Sequence, residues 1–309
     1  MITAASATNK SDAHISVCIC TYNRAELLGR LLEELGKQDT NGLFSYSIVV
    51  ADNDVAESGK GVVDRFASTS AIKIAYCVEP QQNIALARNR VIRNATGDWL
   101  AFIDDDEFPG KDWLLTLFEA CRKYKSDGVL GPVKPYFEQE PPRWIIKGKF
   151  YDRPTHETGF MIDWTEGRTG NVLLKRSILK GNDEPFRREF GSGGEDRDFF
   201  KRMIGSGHKF VWCNEAIAYE VVPRVRWTRS FMLRRALLRG KVSMVNPASA
   251  KVDLAKSMIA IPAYALALPF LLALGQHAFM RYLIKICDHL GRVLAFIGVD
   301  PVKEKYVIE

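Results

Sequence analysis

Three consecutive carboxylates, Asp104, Asp105 and Asp106, end the stretch WLAFIDDDE at residues 99–107. Adjacent acids repel one another unless a cation or strong donors sit among them. Hard oxygen ligands of this kind suit Mg²⁺ or Mn²⁺, the ions that accompany phosphate-bearing substrates. The plainer alternative is a solvated acidic turn. A second acidic centre, Glu195-Asp196, follows Gly191-Ser192-Gly193-Gly194. Acids in a first helical turn are favoured by the macrodipole, so this pair could simply cap a helix. The small residues before it also let a ligand or backbone approach closely. Two further polar clusters, Thr21 to Arg24 and Asp52 to Asp54, each follow an apolar run.

The elements that must hold these groups follow from hydrophobic period. Residues 14–20 (HISVCIC) alternate as a strand, and leucines 27, 31 and 35, with 28 and 32 beside them, make a helical stripe. Strands at 46–50 and 72–78 flank a helical pattern at 61–67; a helix at 83–94 carries Ile84, Ala87 and Val91 on one face. Trp99 to Ile103 is too short an apolar run for a typical helix and reads as a buried strand. This alternation predicts an α/β fold with a mostly parallel sheet, where ligands bind beyond the carboxyl ends of the strands. The clusters at Thr21, Asp52 and Asp104 all fall on that edge. Neither Gly-x-Gly-x-x-Gly nor a phosphate-loop Gly-Lys-Ser/Thr is present, so a nucleotide's phosphates would be held by metal and side chains. Residues 131–154 hold five prolines and Trp144, and read as a long crossing between halves. Trp144 either belongs to that connection alone or stacks on a sugar ring. Arg168-Thr169-Gly170-Asn171 precedes a short strand at 172–174.

The 309 residues, 47% hydrophobic, can bury a sizeable core. No apolar run opens the chain, so no secretory signal is expected, and six cysteines without a CxxC pair fit a reducing cytosol. The net charge of +6 is unevenly spread, with nine Lys or Arg and one acid between Val221 and Lys256. Residues 228–240 form a basic amphipathic helix, and Met258 to Leu274 is uncharged for seventeen residues despite Pro262 and Pro269. An apolar helical stripe from Phe279 to Leu294 follows. This tail is either a buried helical subdomain or a membrane-surface or re-entrant attachment, and the basic flanks favour anionic lipid. Nucleic acid is excluded as partner because the basic residues are not interleaved with stacking aromatics. The expected division is a tail (1–13), a half carrying the acidic triplet (14–130), a half carrying Glu195-Asp196 (131–227) and a helical C-terminal region (228–309).

SVCICTYNRAELL, VVADND, NIALARNRVIRNATGDWLAFIDDDE, RTGNVLLKRS and GGEDRDFFKRM occur in this order over residues 14–227. Together they resemble the inverting family 2 glycosyltransferases of the GT-A fold, and most closely the succinoglycan-type exopolysaccharide glucosyltransferases of bacteria. The resemblance implies a UDP-sugar donor, a lipid-linked saccharide acceptor and a location at the cytoplasmic face of the inner membrane. By it, Thr21 and Asn23 line the nucleotide pocket, Asp52 and Arg88 hold the uracil end, Asp104 lies near the ribose and Asp106 carries the metal. Glu195 and Asp196 take the acceptor side, with Asp196 the catalytic base. Processive relatives carry Gln-x-x-Arg-Trp downstream; here Arg226-Trp227 is present, but Pro223 stands at the glutamine position. Glu220 stands where relatives often place a histidine. The alternative from another class is a non-catalytic, membrane-associated nucleotide-binding adaptor, which would have no use for two acidic centres.

Overall fold

The computed structural model describes residues 13–182, 184–191, 193–244, 247–300 and 302, with the side chains of 247–251 left aside. The expected N-terminal tail, apart from Ala13, lies outside these residues, as does Ser192. Strands and helices alternate through β1 (His14–Thr21), α1 (Ala25–Leu35), β2 (Ser45–Asp52), α2 (Lys60–Thr69), β3 (Ile74–Val78), α3 (Ile84–Asn94) and β4 (Trp99–Phe102). Next come β5 (Glu107–Pro109), α4 (Trp113–Tyr124), β6 (Gly128–Leu130), β7 (Val133–Tyr136), α5 (Arg143–Gly148) and β8 (Val172–Lys175). The chain continues through α6 (Glu195–Gly205), β9 (Phe210–Trp212) and β10 (Ala218–Val221), and then α7 (Arg229–Ser243), α8 (Pro247–Ala273) and α9 (Gln276–Phe296).

A seven-stranded sheet runs in the order β3-β2-β1-β4-β8-β6-β9. Its pairings are parallel except those of β8, which runs antiparallel to both β4 and β6. The strand order reverses between β1 and β4, which makes the gap beyond their carboxyl ends the topological switch point. β5 and β10 pair in a smaller three-stranded sheet with β7. Two apolar clusters cover the large sheet. On one side Leu28, Leu31, Leu32 and Leu35 of α1 meet Trp113, Leu117 and Phe118 of α4. On the other, Ala87 and Val91 of α3 join Phe186, Phe199 and Phe200. The buried face of α1 therefore centres on Leu28 and Leu32, with Leu27 only half-buried at its margin.

Contacts group the chain into two units: Met1–Lys134, Arg153–Gly191 and Glu195–Glu220 form one, and Pro135–Asp152, Ser192–Gly194 and Val221–Glu309 the other. The large sheet belongs to the first. In the second, α7, α8 and α9 form a helical assembly, and Val252–Ala273 of α8 is the one described helix long and apolar enough to cross a membrane.

Candidate active site

β1 and β4 bring Thr21–Arg24 and Asp104–Asp106 together across the switch point. Thr21 Oγ1 donates to Asp105 Oδ2 at 2.8 Å, and Arg24 Nη1 donates to Asp105 Oδ1 at 3.0 Å and Asp106 Oδ2 at 3.1 Å. These are the strong donors an acidic triplet requires. Burial pushes the Asp105 carboxyl up to about 7, with Asp106 adding repulsion and Arg24 and Thr21 opposing both. Asn23 turns the chain in the left-handed region at φ 54°, and its backbone N–H donates to Ser58 Oγ at 3.2 Å.

Asp52, at the end of β2, is fully buried. Its carboxylate accepts from Gly59 N at 2.7 Å, Asp54 N at 3.0 Å and the Tyr76 hydroxyl at 2.8 Å. It thus folds the loop that leads into α2.

Because β8 is antiparallel, it begins where β4 ends, and the residues before it lie over the carboxylates. A Cβ on Gly170 would stand 2.8 Å from Glu107 Oε1 and 3.0 Å from Asp104 Oδ2, so this close approach needs glycine. Asn171, fully buried at φ 58°, accepts from Trp113 Nε1 at 2.7 Å and donates to the carbonyls of Pro132 and Ala216.

Glu107 on β5 lies opposite Glu220 on β10. Like charges so placed are unfavourable, and Arg153 sits between them, bonded to Glu220 and 3.8 Å from Glu107 Oε1. Burial drives the Glu107 carboxyl well above its ordinary range, with Asp104 adding to the rise and Arg153 resisting it.

The second acidic centre stands at the start of α6. Gly193 and Gly194, at φ 125° and 93°, turn the chain into that helix. The preceding loop is tied down through Asn83, the N-cap of α3, whose Nδ2 donates to the Arg188 carbonyl at 2.9 Å. Glu195 is buried; Oε1 accepts from Arg88 Nη1, and Oε2 has no hydrogen-bond partner. Arg88 Nη2 also lies 3.6 Å from Asp104 Oδ1, so a single guanidinium on α3 joins the two acidic centres. Asp196 is half-buried, and Oδ1 accepts from Arg197 N at 2.7 Å.

The sequence-predicted residues Thr21, Arg88, Asp104, Asp106 and Glu195 are thus linked through Asp105, Arg24 and Arg88. Trp144 lies on α5 in the second unit, with its ring edge-on to Phe150. Arg24, Glu107, Arg153 and Asn171 were not singled out by sequence reasoning. Arg24 and Asn171 lie inside the polar runs TYNR and RTGN. Arg153 gave no signal, because only the fold brings the end of the proline-rich segment against β5 and β10.

The arrangement can hold a divalent cation. Among the described residues, no three His, Cys, Asp or Glu side chains converge as a finished ligand set. Asp106 nonetheless offers hard oxygen, and Glu107 Oε1, buried without a hydrogen-bond partner, faces the space that a Cβ on Gly170 would fill. One or two carboxylates, completed by substrate phosphates and water, is how proteins usually bind Mg²⁺.

Residues 16–180 match the sequence profile of Glycosyl transferase family 2. Succinoglycan biosynthesis protein ExoM of Rhizobium meliloti (strain 1021) is 36% identical over 234 residues, covering 74% of this chain and 73% of that protein. Of six other curated relatives, the match spans from 26% to 65% of the relative's length. Among solved structures, the mannosyltransferase PcManGT from Pyrobaculum calidifontis with GDP-Man and Mn²⁺ superposes with a TM-score of 0.62 at 18% identity, over 93% of this chain and 87% of that one. S. aureus TarS 1-349 in complex with UDP gives 0.54 at 17%, over 94% of each chain. These two likenesses concern the fold alone. With the profile covering more than half the chain and ExoM matched along most of both lengths, this protein belongs to glycosyl transferase family 2 and is a glycosyltransferase of GT-A-like fold.

Proposed function

We propose that the chain transfers a sugar, glucose in the first instance, from a UDP-sugar to a lipid-linked saccharide during exopolysaccharide assembly, with inversion and by single addition. The observation that carries this reading is Arg88, which holds the donor-side triplet and the Glu195-Asp196 pair as parts of one site. Similarity to ExoM supports the exopolysaccharide context, and neighbours solved with UDP or GDP-Man support a nucleotide-sugar donor.

Thr21, Asn23, Asp52, Arg88 and Asp104 are assigned to the donor, with Asp106 as the metal ligand. A divalent cation, Mg²⁺ or Mn²⁺, held there supplies the positive charge that a departing diphosphate needs. Asp196 is assigned the proton of the acceptor hydroxyl. Its neighbour Glu195 is buried and taken by Arg88, whereas Asp196 is half-buried and its Oδ2 takes no hydrogen bond from the described residues. In an inverting displacement the base stands on the ring face opposite the leaving group, and two separate acidic centres meet that demand. Trp144 is assigned to the acceptor's sugar rings. Pro223 in place of the processive glutamine supports one addition per encounter. The apolar α8 and its basic surroundings support attachment at the cytoplasmic membrane surface, where a lipid-linked acceptor would be found.

Calorimetry of UDP binding with and without Mn²⁺ tests the donor side. Asp106→Ala should bind UDP weakly and equally in both conditions. If the variant keeps the wild type's cation-dependent gain in affinity, the metal assignment is wrong.

A further inference from the structure

Resting on the membrane-surface reading, we infer that α8 is an in-plane anchor: it lies flat in one leaflet of an anionic phospholipid bilayer and does not cross it. Every seventh residue shows why the helix needs lipid. Ile259, Leu266 and Ala273 are exposed, as are Met258, Pro262 and Phe270, so one whole face is apolar and uncovered. Its other face, through Ser257, Tyr264 and their neighbours, is packed against α9. A helix apolar on the open side as well as the packed one suits a membrane.

Three features argue against spanning. The uncharged run from Met258 to Leu274 is seventeen residues, or about 25 Å of helix against a hydrocarbon core of about 30 Å. Pro262 and Pro269 remove the donors for the carbonyls of Met258 and Ala265. Water and headgroups satisfy these at the interface, whereas a spanning helix would need neighbouring donors for them.

The third is the partner helix. Lys285 of α9 stands over the rings of Tyr264 and Tyr282, at 5.6 and 4.8 Å, beside the middle of α8. His289 bonds Ser257 Oγ at 2.9 Å, one to two turns further along. Were α8 to span, Lys285 would sit near the bilayer centre, and its stem could not cover the roughly 15 Å to the headgroups. Nor can α9 separate easily. Cβ atoms added at Gly240 of α7 and Gly291 of α9 would lie 2.0 and 2.2 Å from carbonyls of the opposite helix, and Arg239 bonds Asp288 at 2.9 Å. Crossing would drag α7 and its arginines inward. Lying flat leaves Lys256, Arg281 and Lys285, all exposed, at headgroup level, which complements anionic phosphates.

The test uses the full chain with Cys20, Cys77 and Cys287 changed to Ser and a fluorophore-labelled cysteine at position 259, 266 or 273. Each is bound to phosphatidylglycerol–phosphatidylethanolamine vesicles carrying brominated lipids of graded depth. The inference predicts one shallow depth for all three positions, and loss of at least about tenfold in vesicle affinity for Leu266→Asp with Phe270→Asp. Binding with depths that differ along the helix would overturn the in-plane placement while leaving the membrane reading intact. A chain that ignores vesicles and covers the face as a soluble dimer would overturn both.

Discussion

At the scale of residues, the site is a balance of carboxylates against three guanidiniums: Arg24 on the triplet, Arg88 between the two acidic centres, and Arg153 between Glu107 and Glu220. Breaking a buried ion pair by removing one partner leaves an uncompensated charge and commonly costs about 3–5 kcal/mol. Arg153 keeps 27% of its side-chain exposure, so we expect Arg153→Met to lower stability by less than that, about 2–3 kcal/mol. Adding Glu220→Gln to it should restore part of the loss. The urea midpoint, read with an unchanged slope, measures both. A single variant as stable as the wild type would show that the carboxylates do not need Arg153. Asp104–Asp106 and Glu195-Asp196 were legible because acids adjoin an apolar run or a Gly-rich turn. Of their arginine partners, Arg88 was named only through the family resemblance and Arg24 only as the end of a polar run, since no local pattern marks which carboxylates an arginine from elsewhere in the fold will reach.

At the scale of elements, direction is what the sequence hides. β1, β2, β3 and β4 were readable from apolar runs between helical periods, α3 from Ile84, Ala87 and Val91 on one face, and α6 from the acids after glycine. Val172-Leu173-Leu174-Lys175 reads equally well as a parallel or an antiparallel strand. Its antiparallel placement between β4 and β6 delivers Gly170 and Asn171 to the carboxylates. Asn171 then fastens α4 and two loops at once. Asn171→Ala would leave Trp113 Nε1 and the Ala216 carbonyl without these partners, while the Pro132 carbonyl keeps only its bond from Ala218 N at 3.0 Å. Each buried unsatisfied group costs about 1–3 kcal/mol, so a total of about 3–5 kcal/mol is expected by thermal or urea unfolding. A loss under about 1 kcal/mol would mean that water or relaxation replaces those bonds.

At the scale of the molecule, one unit carries the sheet and its acidic cluster, and the other carries a helical tail with an apolar face. The tail's composition was legible as membrane-seeking or buried, but its geometry was not, because the pairing of α8 with α9 depends on contacts such as Tyr264 with Tyr282. In the proposed reaction, Asp196 serves as base beside a separate donor-side centre. The most direct measurement is the rate at which Asp196→Asn and wild type move radiolabelled glucose from UDP-glucose, with Mn²⁺, into the lipid-linked saccharides of exopolysaccharide-producing bacterial membranes, with UDP affinity determined alongside. The substitution keeps the shape of the side chain but removes its ability to take a proton. UDP affinity should therefore be unchanged while transfer falls by about two to four orders of magnitude. Near-normal transfer by Asp196→Asn would contradict the account and move the base elsewhere.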